Sequence, residues 1–177
     1  ITAEPLIVSN NSRPTSFFLP RGAEIGQVIA ASTKRGWADP ADEVILPAIS
    51  MDEYKRSRGL GKIDLVKIDC EFHEREILEG MNHILKDDKP NLLIEVLFYE
   101  TAGVKGQLNY SQSAEIERIL RENGYHFYLI AESALILMDH LENNPNNRNY
   151  LFSVKRSPRQ YIPYDEADFL YSPSRRL

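Results

Sequence analysis

The clearest pattern along the chain is an apolar strand, an amphipathic helix and a second apolar strand. Residues 63–68 (IDLVKI) are mostly apolar and β-branched, which is typical of a strand buried on both faces. Residues 92–98 (LLIEVLF) have the same character. Between them, five apolar residues recur at the spacing of one helical face: Ile77, Leu78, Met81, Ile84 and Leu85. The short joints predict a βαβ unit with two adjacent, parallel strands.

The segments before this unit predict shorter elements. Residues 5–9 and 15–19 predict two strands of a hairpin, because turn-forming residues separate them. Residues 44–49 predict a strand, and a short helix should run from residue 51 to about residue 58. Ser50 and Glu53 have the spacing of a capping box at the start of that helix.

The segments after the unit predict one more helix and three more strands. They are a helix at residues 113–123 and strands at residues 125–130, 134–138 and 150–154. The last strand should pair antiparallel with an earlier one. Residues 156–177 contain three prolines and mixed charge, so we expect an irregular C-terminal arm after a domain that spans residues 1–155.

Composition narrows the class of protein. The 177 residues are 42% hydrophobic and 27% charged, with a formal net charge of -5. This balance is globular, and it lacks the basic excess of a nucleic-acid surface. No apolar stretch approaches the ~18 residues of a membrane span. Cys70 is the only cysteine, which excludes an internal disulfide and fits a reducing compartment. We therefore expect a cytoplasmic protein that has no nucleic-acid partner.

Acidic residues mark the ends of both apolar strands. Asp69 and Glu71 follow the first strand, and Glu95 interrupts the second. Ligands of open α/β sheets bind outside the carboxyl ends of parallel strands, so we expect these three acids to converge, joined by His73. Such a group could position a substrate hydroxyl, act as a base or hold a metal ion. Lys67 could keep one of the acids ionised.

Other polar residues have simpler interpretations. Glu71, Glu74 and Glu76 lie where the first turn of a helix favours anions. We interpret Glu74 and Glu76 as helix-end charges, and for Glu71 this alternative stays open beside a role in the site. Cys70 has no assigned helper base, and free cysteines are commonly buried, so we do not expect a nucleophile there. Residues 21–27 carry two glycines at G-x-x-x-G spacing, which is a weak indication of a nucleotide loop.

Several motifs agree with one known family. The segments SMDEYKRSRG, IDLVKIDCEFHEREILEG, NLLIEV, ENGY and NYLFSV occur in this order, and with them the sequence resembles the FkbM-type methyltransferases. The resemblance implies a Rossmann-like class I fold, S-adenosylmethionine as cofactor, and O-methylation of a small-molecule or sugar hydroxyl. Asp69 and Glu71 match the acids of the family's "DVEG" segment, and Glu95 matches the acid of its "IEV" strand. Phe72 stands where the family has glycine.

The resemblance also implies elements that we do not find in the sequence. The family's first strand, glycine loop and ribose-binding acid are not apparent, so we expect a partial methyltransferase domain without its N-terminal βα units. No cofactor-binding residue is identified, and this chain alone should bind the cofactor weakly. The alternative is a non-catalytic α/β domain that acts as a binding or assembly partner. A divalent metal is not expected, although Asp69 and Glu95 could be oxygen ligands for Mg²⁺. A homo-oligomer is left open.

Overall fold

The structure is a computed structural model that describes residues 2–21, 31–33, 41–98, 110–131, 134–142 and 147–156. The candidate nucleotide loop and the C-terminal arm, apart from Arg21 and Arg156, lie outside these residues. In the described part of the chain, no helix is long and apolar enough to cross a membrane.

The described residues form both helices and strands. In order they are β1 (Ile7–Val8), β2 (Thr15–Pro20), β3 (Ala41–Leu46), β4 (Ala48–Ile49), α1 (Met51–Arg58), β5 (Leu65–Ile68), α2 (Glu74–Glu79), a π-helical turn (Ile84–Asp88), β6 (Asn91–Glu95), α3 (Tyr110–Glu122), β7 (His126–Ile130), β8 (Leu135–Met138) and β9 (Asn149–Ser153). The predicted mixed α/β class is therefore confirmed.

The central sheet has five strands in the order β5-β6-β9-β7-β8. Strands β5 and β6 are parallel, with Ile68 beside Ile94, so the predicted βαβ unit is confirmed. Strand β9 lies antiparallel between β6 and β7, and β8 pairs antiparallel with β7. The antiparallel C-terminal strands are thus confirmed, whereas parallel pairing within this five-stranded sheet is confined to β5 and β6. A mostly parallel, Rossmann-like sheet stays a prediction.

Strand β5 corrects the prediction of a strand buried on both faces. It is an edge strand of the described sheet, so only β6 pairs with it. Leu65 is 58% exposed, while Ile68 is 3% exposed. Apolar composition alone cannot tell a central strand from an edge strand, because the difference depends on whether a neighbouring strand covers it.

The N-terminal strands pair differently from the predicted hairpin. Strand β1 pairs in parallel with β4, and β2 pairs antiparallel with β3 along six residues. The predicted single strand at residues 44–49 is two strands separated by Pro47, which has no amide hydrogen for a continuous ladder. The predicted hairpin was wrong because β1 and β2 each pair with a strand that lies further along the chain.

The helix predicted after Asp69 is interrupted. Helix α2 ends at Gly80, and the π-helical turn follows. The five apolar residues of the predicted helical face are nevertheless all buried in one core with β6, α3, β7 and β9. Gly80 permits a close approach of backbones, because a Cβ atom there would lie 2.1 Å from the carbonyl oxygen of Ser9.

Helix α1 is anchored by polar contacts. It has no buried residue, and its predicted boundaries are confirmed: the Ser50 side chain accepts from the Glu53 amide, and Gly59 ends the helix at φ 61°. The Asp52 carboxylate accepts from the amides of His83 and Ile84 at 2.9 and 3.0 Å. The carboxylate of the buried Asp88 binds Lys55 at 2.5 Å and the Ile63 amide at 3.0 Å.

Candidate functional site

Two acids lie side by side where the parallel strands end. The register that pairs Ile68 with Ile94 brings the next residues, Asp69 and Glu95, next to each other. The two side chains are close enough for each to shift the pKa of the other. The Asp69 side chain is 43% exposed and Glu95 is partly buried, so a ligand can reach the pair. The predicted convergence of these two residues is therefore observed, while their chemical roles stay a prediction.

The environment of the two acids is asymmetric. The ammonium nitrogen Nζ of Lys67 lies 2.5 Å from Asp69 Oδ2. This bond lowers the pKa of Asp69 below its ordinary value, and the neighbouring Glu95 side chain acts in the same direction. Burial raises the pKa of Glu95, and the neighbouring Asp69 raises it further. The pKa values of the two carboxyl groups are therefore shifted in opposite directions, as in acid–base pairs of enzymes.

Glu71 and Arg148 lie next to this pair. The rim of the site consists of Lys67, Asp69, Glu71, Glu95 and Arg148. Burial raises the pKa of Glu71, the negative charges of Glu95 and Asp69 add to this effect, and the positive charge of Arg148 opposes it. Arg148 also lowers the pKa of Glu95. The sequence analysis missed Arg148. Its position follows from the antiparallel register of β6 with β9, in which Glu95 lies opposite Asn149, the residue next to Arg148.

The backbone between Asp69 and α2 is unusual. Glu71 and Phe72 have φ angles of 52° and 75°, a left-handed conformation that favours glycine. The Ser32 hydroxyl donates to the Glu71 carbonyl at 2.6 Å, and the Phe72 amide donates to Glu74 Oε1 at 3.2 Å. These contacts fix the turn that carries Glu71 on the rim.

Glu74 lies in the first turn of α2, as predicted, and is buried there. It is 1% exposed, and its Oε2 accepts from the Gln112 amide nitrogen Nε2 at 2.6 Å. Its Oε1 accepts from the Phe72 amide and, at 3.4 Å, from the thiol of Cys70. Burial raises the pKa of Glu74. Glu74 therefore joins the turn to the start of α3.

Glu76, the other predicted helix-end charge, is also mostly buried, with 9% exposure. Its Oε1 accepts from Arg75 at 3.2 Å, and its Oε2 lies 3.7 Å from His73 Nδ1. Both glutamates lie in the first turn of α2, as predicted, but the sequence did not predict that other segments of the chain cover this turn. A helical pattern in the sequence does not show which first turns are covered.

His73 connects three segments rather than extending the acid pair. Its ring nitrogens lie 2.9 Å from the Thr33 hydroxyl and 3.1 Å from the Ser9 hydroxyl, and the residue is buried. Its contribution to chemistry stays a prediction. Burial raises the pKa of the Cys70 thiol, and the nearby Glu74 raises it further, which disfavours the thiolate that a nucleophile requires.

Two other possible sites can be compared with the rim. Within the described ranges, no three or more His, Cys, Asp or Glu side chains are arranged to hold a metal ion. An open cleft of about 420 Å³ lies beside α1 and is lined by Asp52, Lys55, Arg56, Gly59, Leu60 and His83. None of the predicted site residues lines this cleft.

Comparison with known proteins gives one match. A sequence model of the methyltransferase FkbM domain matches residues 3–127, a range that contains Asp69, Glu71 and Glu95. No curated protein and no solved structure matches the chain.

Proposed function

The chain belongs to the FkbM methyltransferase family, and from this premise we propose that it transfers a methyl group from S-adenosylmethionine to a hydroxyl oxygen of a small molecule or sugar. The observation that carries the proposal is the adjacency of Asp69 and Glu95 at the carboxyl ends of the paired strands β5 and β6. In open α/β sheets, this edge is the usual ligand site.

Asp69 is the base in this proposal. Its carboxylate is accessible, and Lys67 favours its ionised form. A hydroxyl held within hydrogen-bond reach of Asp69 would lose its proton to the carboxylate as the oxygen becomes a better nucleophile. Glu71 and Arg148 would bind other polar groups of the substrate and orient the reacting oxygen. We assign no step to His73, because its ring binds Ser9 and Thr33.

The acidic residues of the rim suit the positively charged sulfur of the cofactor. S-adenosylmethionine, when bound, supplies an electrophilic methyl group on a positively charged sulfur. The rim combines the acids Asp69, Glu71 and Glu95 with the bases Lys67 and Arg148, and an acidic surrounding favours a cation. Residues for the rest of the cofactor are not assigned.

A non-catalytic binding domain is the second candidate, and Phe72 favours it. The residue is buried and stands where the family motif has glycine, so the loop has departed from the family pattern. Such a domain would bind a protein or small-molecule partner without methyl transfer. Calorimetry with S-adenosylhomocysteine separates the two candidates, because only the enzyme is expected to bind it.

Methyl transfer by the full-length natural protein tests the proposal. Radiolabelled S-adenosylmethionine would be incubated with a panel of monosaccharides and phenols, and methylated products counted. Asp69→Asn should lower kcat by about 100-fold or more, as the loss of a general base does. Asp64→Asn is the control, since Asp64 is an exposed acid on the same segment. Full activity of Asp69→Asn would refute the assignment, and absence of both binding and transfer would favour the binding domain.

A further inference from the structure

The peptide group between Glu71 and Phe72 is held at both of its polar atoms. The Ser32 hydroxyl donates to the Glu71 carbonyl oxygen at 2.6 Å, and the Phe72 amide donates to Glu74 Oε1 at 3.2 Å. The carbonyl and the amide belong to one planar unit. The two side chains therefore fix the orientation of that plane, which sets the ψ angle of Glu71 and the φ angle of Phe72.

The backbone conformation at this peptide needs such support. Glu71 and Phe72 both have positive φ angles, 52° and 75°, which residues with a Cβ atom rarely adopt. Strained conformations of this kind persist only where the surrounding structure holds them. Ser32 and Glu74 supply that hold, together with the buried side chain of Phe72.

The two side chains that hold the peptide are themselves anchored. Ser32 is 1% exposed, and its amide and carbonyl bond to Phe18 of β2 at 3.1 and 2.8 Å. Glu74 is also 1% exposed and binds Gln112 near the start of α3 at 2.6 Å. The orientation of the turn is therefore set by β2 on one side and α3 on the other.

The turn presents one side chain to ligands. Glu71 is partly buried, whereas the next three residues, 72–74, are all buried. Glu71 belongs to the rim with Asp69, two residues before it. Because the Glu71 side chain is attached next to the held peptide, rotation of that peptide would move the carboxylate relative to Asp69.

We propose that Ser32 and Glu74 are positioning residues for the methyl acceptor, because they hold the Glu71–Phe72 peptide so that the Glu71 carboxylate accepts a hydrogen bond from an acceptor hydroxyl that is not methylated. The acceptor is then a molecule with at least two hydroxyl groups, one facing Asp69 and one facing Glu71. This inference rests on the proposed function. Ser32 and Glu74 are buried and act through Glu71.

A double-mutant cycle on acceptor binding tests the inference. In the full-length protein, Ser32→Ala removes the donor to the Glu71 carbonyl and should raise the KM of a monosaccharide acceptor by about 10-fold, with a much smaller change in kcat. Glu71→Ala should raise this KM at least as much, and adding Ser32→Ala to it should cause no further rise. For a phenol with a single hydroxyl, Ser32→Ala should leave the KM unchanged.

Ser153→Ala is the matched control. Ser153 is a buried serine, with 7% exposure, and its hydroxyl accepts from the Lys155 amide at 3.2 Å. It lies at the end of β9 away from Asn149, which pairs with Glu95, so both KM values should be unchanged. Ser32→Cys is a second variant that serves if Ser32→Ala does not fold. Its thiol fills the space but is a weak donor, and the monosaccharide KM should rise in the same way.

Carbon-13 and amide NMR of the free protein separates this inference from the proposed function. The Glu71 carbonyl and the Phe72 amide resonances should move in Ser32→Ala and stay in place in Ser153→Ala. Unmoved resonances, KM effects of Ser32→Ala and Glu71→Ala that multiply in the double variant, or an equal KM rise for the phenol would overturn the inference. If the resonances move and no acceptor reacts with the wild type, the proposed function fails while the hold of Ser32 on the peptide stands.

Discussion

Phe72 combines two features that rarely occur together. Its backbone has a φ angle of 75°, and its side chain is buried, with 6% exposure. The left-handed conformation costs a residue with a Cβ atom about 1–2 kcal/mol, whereas burial of an aromatic ring contributes about 1.5–3 kcal/mol. The ring therefore offsets the backbone strain, which explains how phenylalanine can occupy a glycine position of the family motif.

Replacing Phe72 separates these two effects. Phe72→Ala should lower the free energy of unfolding by about 3 kcal/mol, since the ring is lost and the strain remains. Phe72→Gly should be about 1 kcal/mol more stable than Phe72→Ala, because glycine adopts this φ freely. Urea denaturation measures both. Phe98 is the control position, because it is equally buried and has no positive φ. At this position the glycine variant should be less stable than the alanine variant. The same order at both positions would contradict the account.

At the residue scale, the acids that interrupt apolar strands could be predicted from the sequence. Asp69 and Glu95 stand out because the residues before them are apolar, and their proximity follows once β5 and β6 are paired. The burial of Glu74 could not be predicted. Its Gln112 partner is 38 residues away in sequence, and only the packing of α3 against α2 brings the two side chains together.

At the scale of elements, a mostly buried ion pair between Lys55 and Asp88 is one of the contacts that anchor α1. Burial alone would raise the pKa of Asp88, but its bonds with Lys55 and the Ile63 amide bring it below the ordinary value of 3.8. An acid with a lowered folded-state pKa stabilises the protein above its unfolded-state pKa. This stabilisation is lost as pH falls through the folded-state pKa.

Asp88→Asn should reveal this dependence. Above pH 5 the variant should be about 2 kcal/mol less stable than the wild type, because a bond to a charged group is lost. The difference should shrink as pH falls below the ordinary value of 3.8, where Asp88 of the unfolded chain takes up a proton, and it should be lost as pH falls through the lower folded-state pKa. Urea denaturation between pH 3 and pH 7 measures it. Asp64→Asn should show almost no difference at any pH, since that side chain is 83% exposed. A constant difference for Asp88→Asn down to pH 3 would be inconsistent with the ion pair.

Gly80, the residue after α2, packs against Ser9, the residue after β1. An added methyl group would meet the Ser9 carbonyl at 2.1 Å, and Ser9 is held by its bond to Ile49. Gly80→Ala should therefore lower the free energy of unfolding by about 3 kcal/mol, at the upper end of overpacking effects. Gly61→Ala is the control, because no atom lies within 4 Å of its added Cβ. Equal thermal stability of the two variants would show that the close approach of Ser9 to Gly80 is not maintained.

Element boundaries could be predicted where a side chain or glycine sets them locally, as Ser50 and Gly59 do for α1. The pairing of β1 with β4 could not be predicted. It consists of two residue pairs, Ile7 with Ala48 and Val8 with Ile49, which leave no recognisable local pattern. Such short, non-local pairings are decided by the packing of the whole N-terminal region.

At the scale of the whole molecule, the fold places the acid pair at one edge of the central sheet. Asp69 comes from the end of β5, Glu95 from β6, and Arg148 from the residues before β9. The sequence predicted the first two strands as neighbours, but it did not predict that β9 inserts beside β6. This insertion brings Arg148 to the rim, and it depends on a register that only the complete sheet defines.

The location of cofactor binding tests the central claim most directly. We would titrate amide-labelled full-length protein with S-adenosylhomocysteine and follow the NMR shifts of the backbone. The account predicts the largest shifts, among the described residues, at residues 69–73 and 95–98 around the acid pair. Shifts that cluster instead at Arg56, Leu60 and His83, in the cleft beside α1, would contradict it.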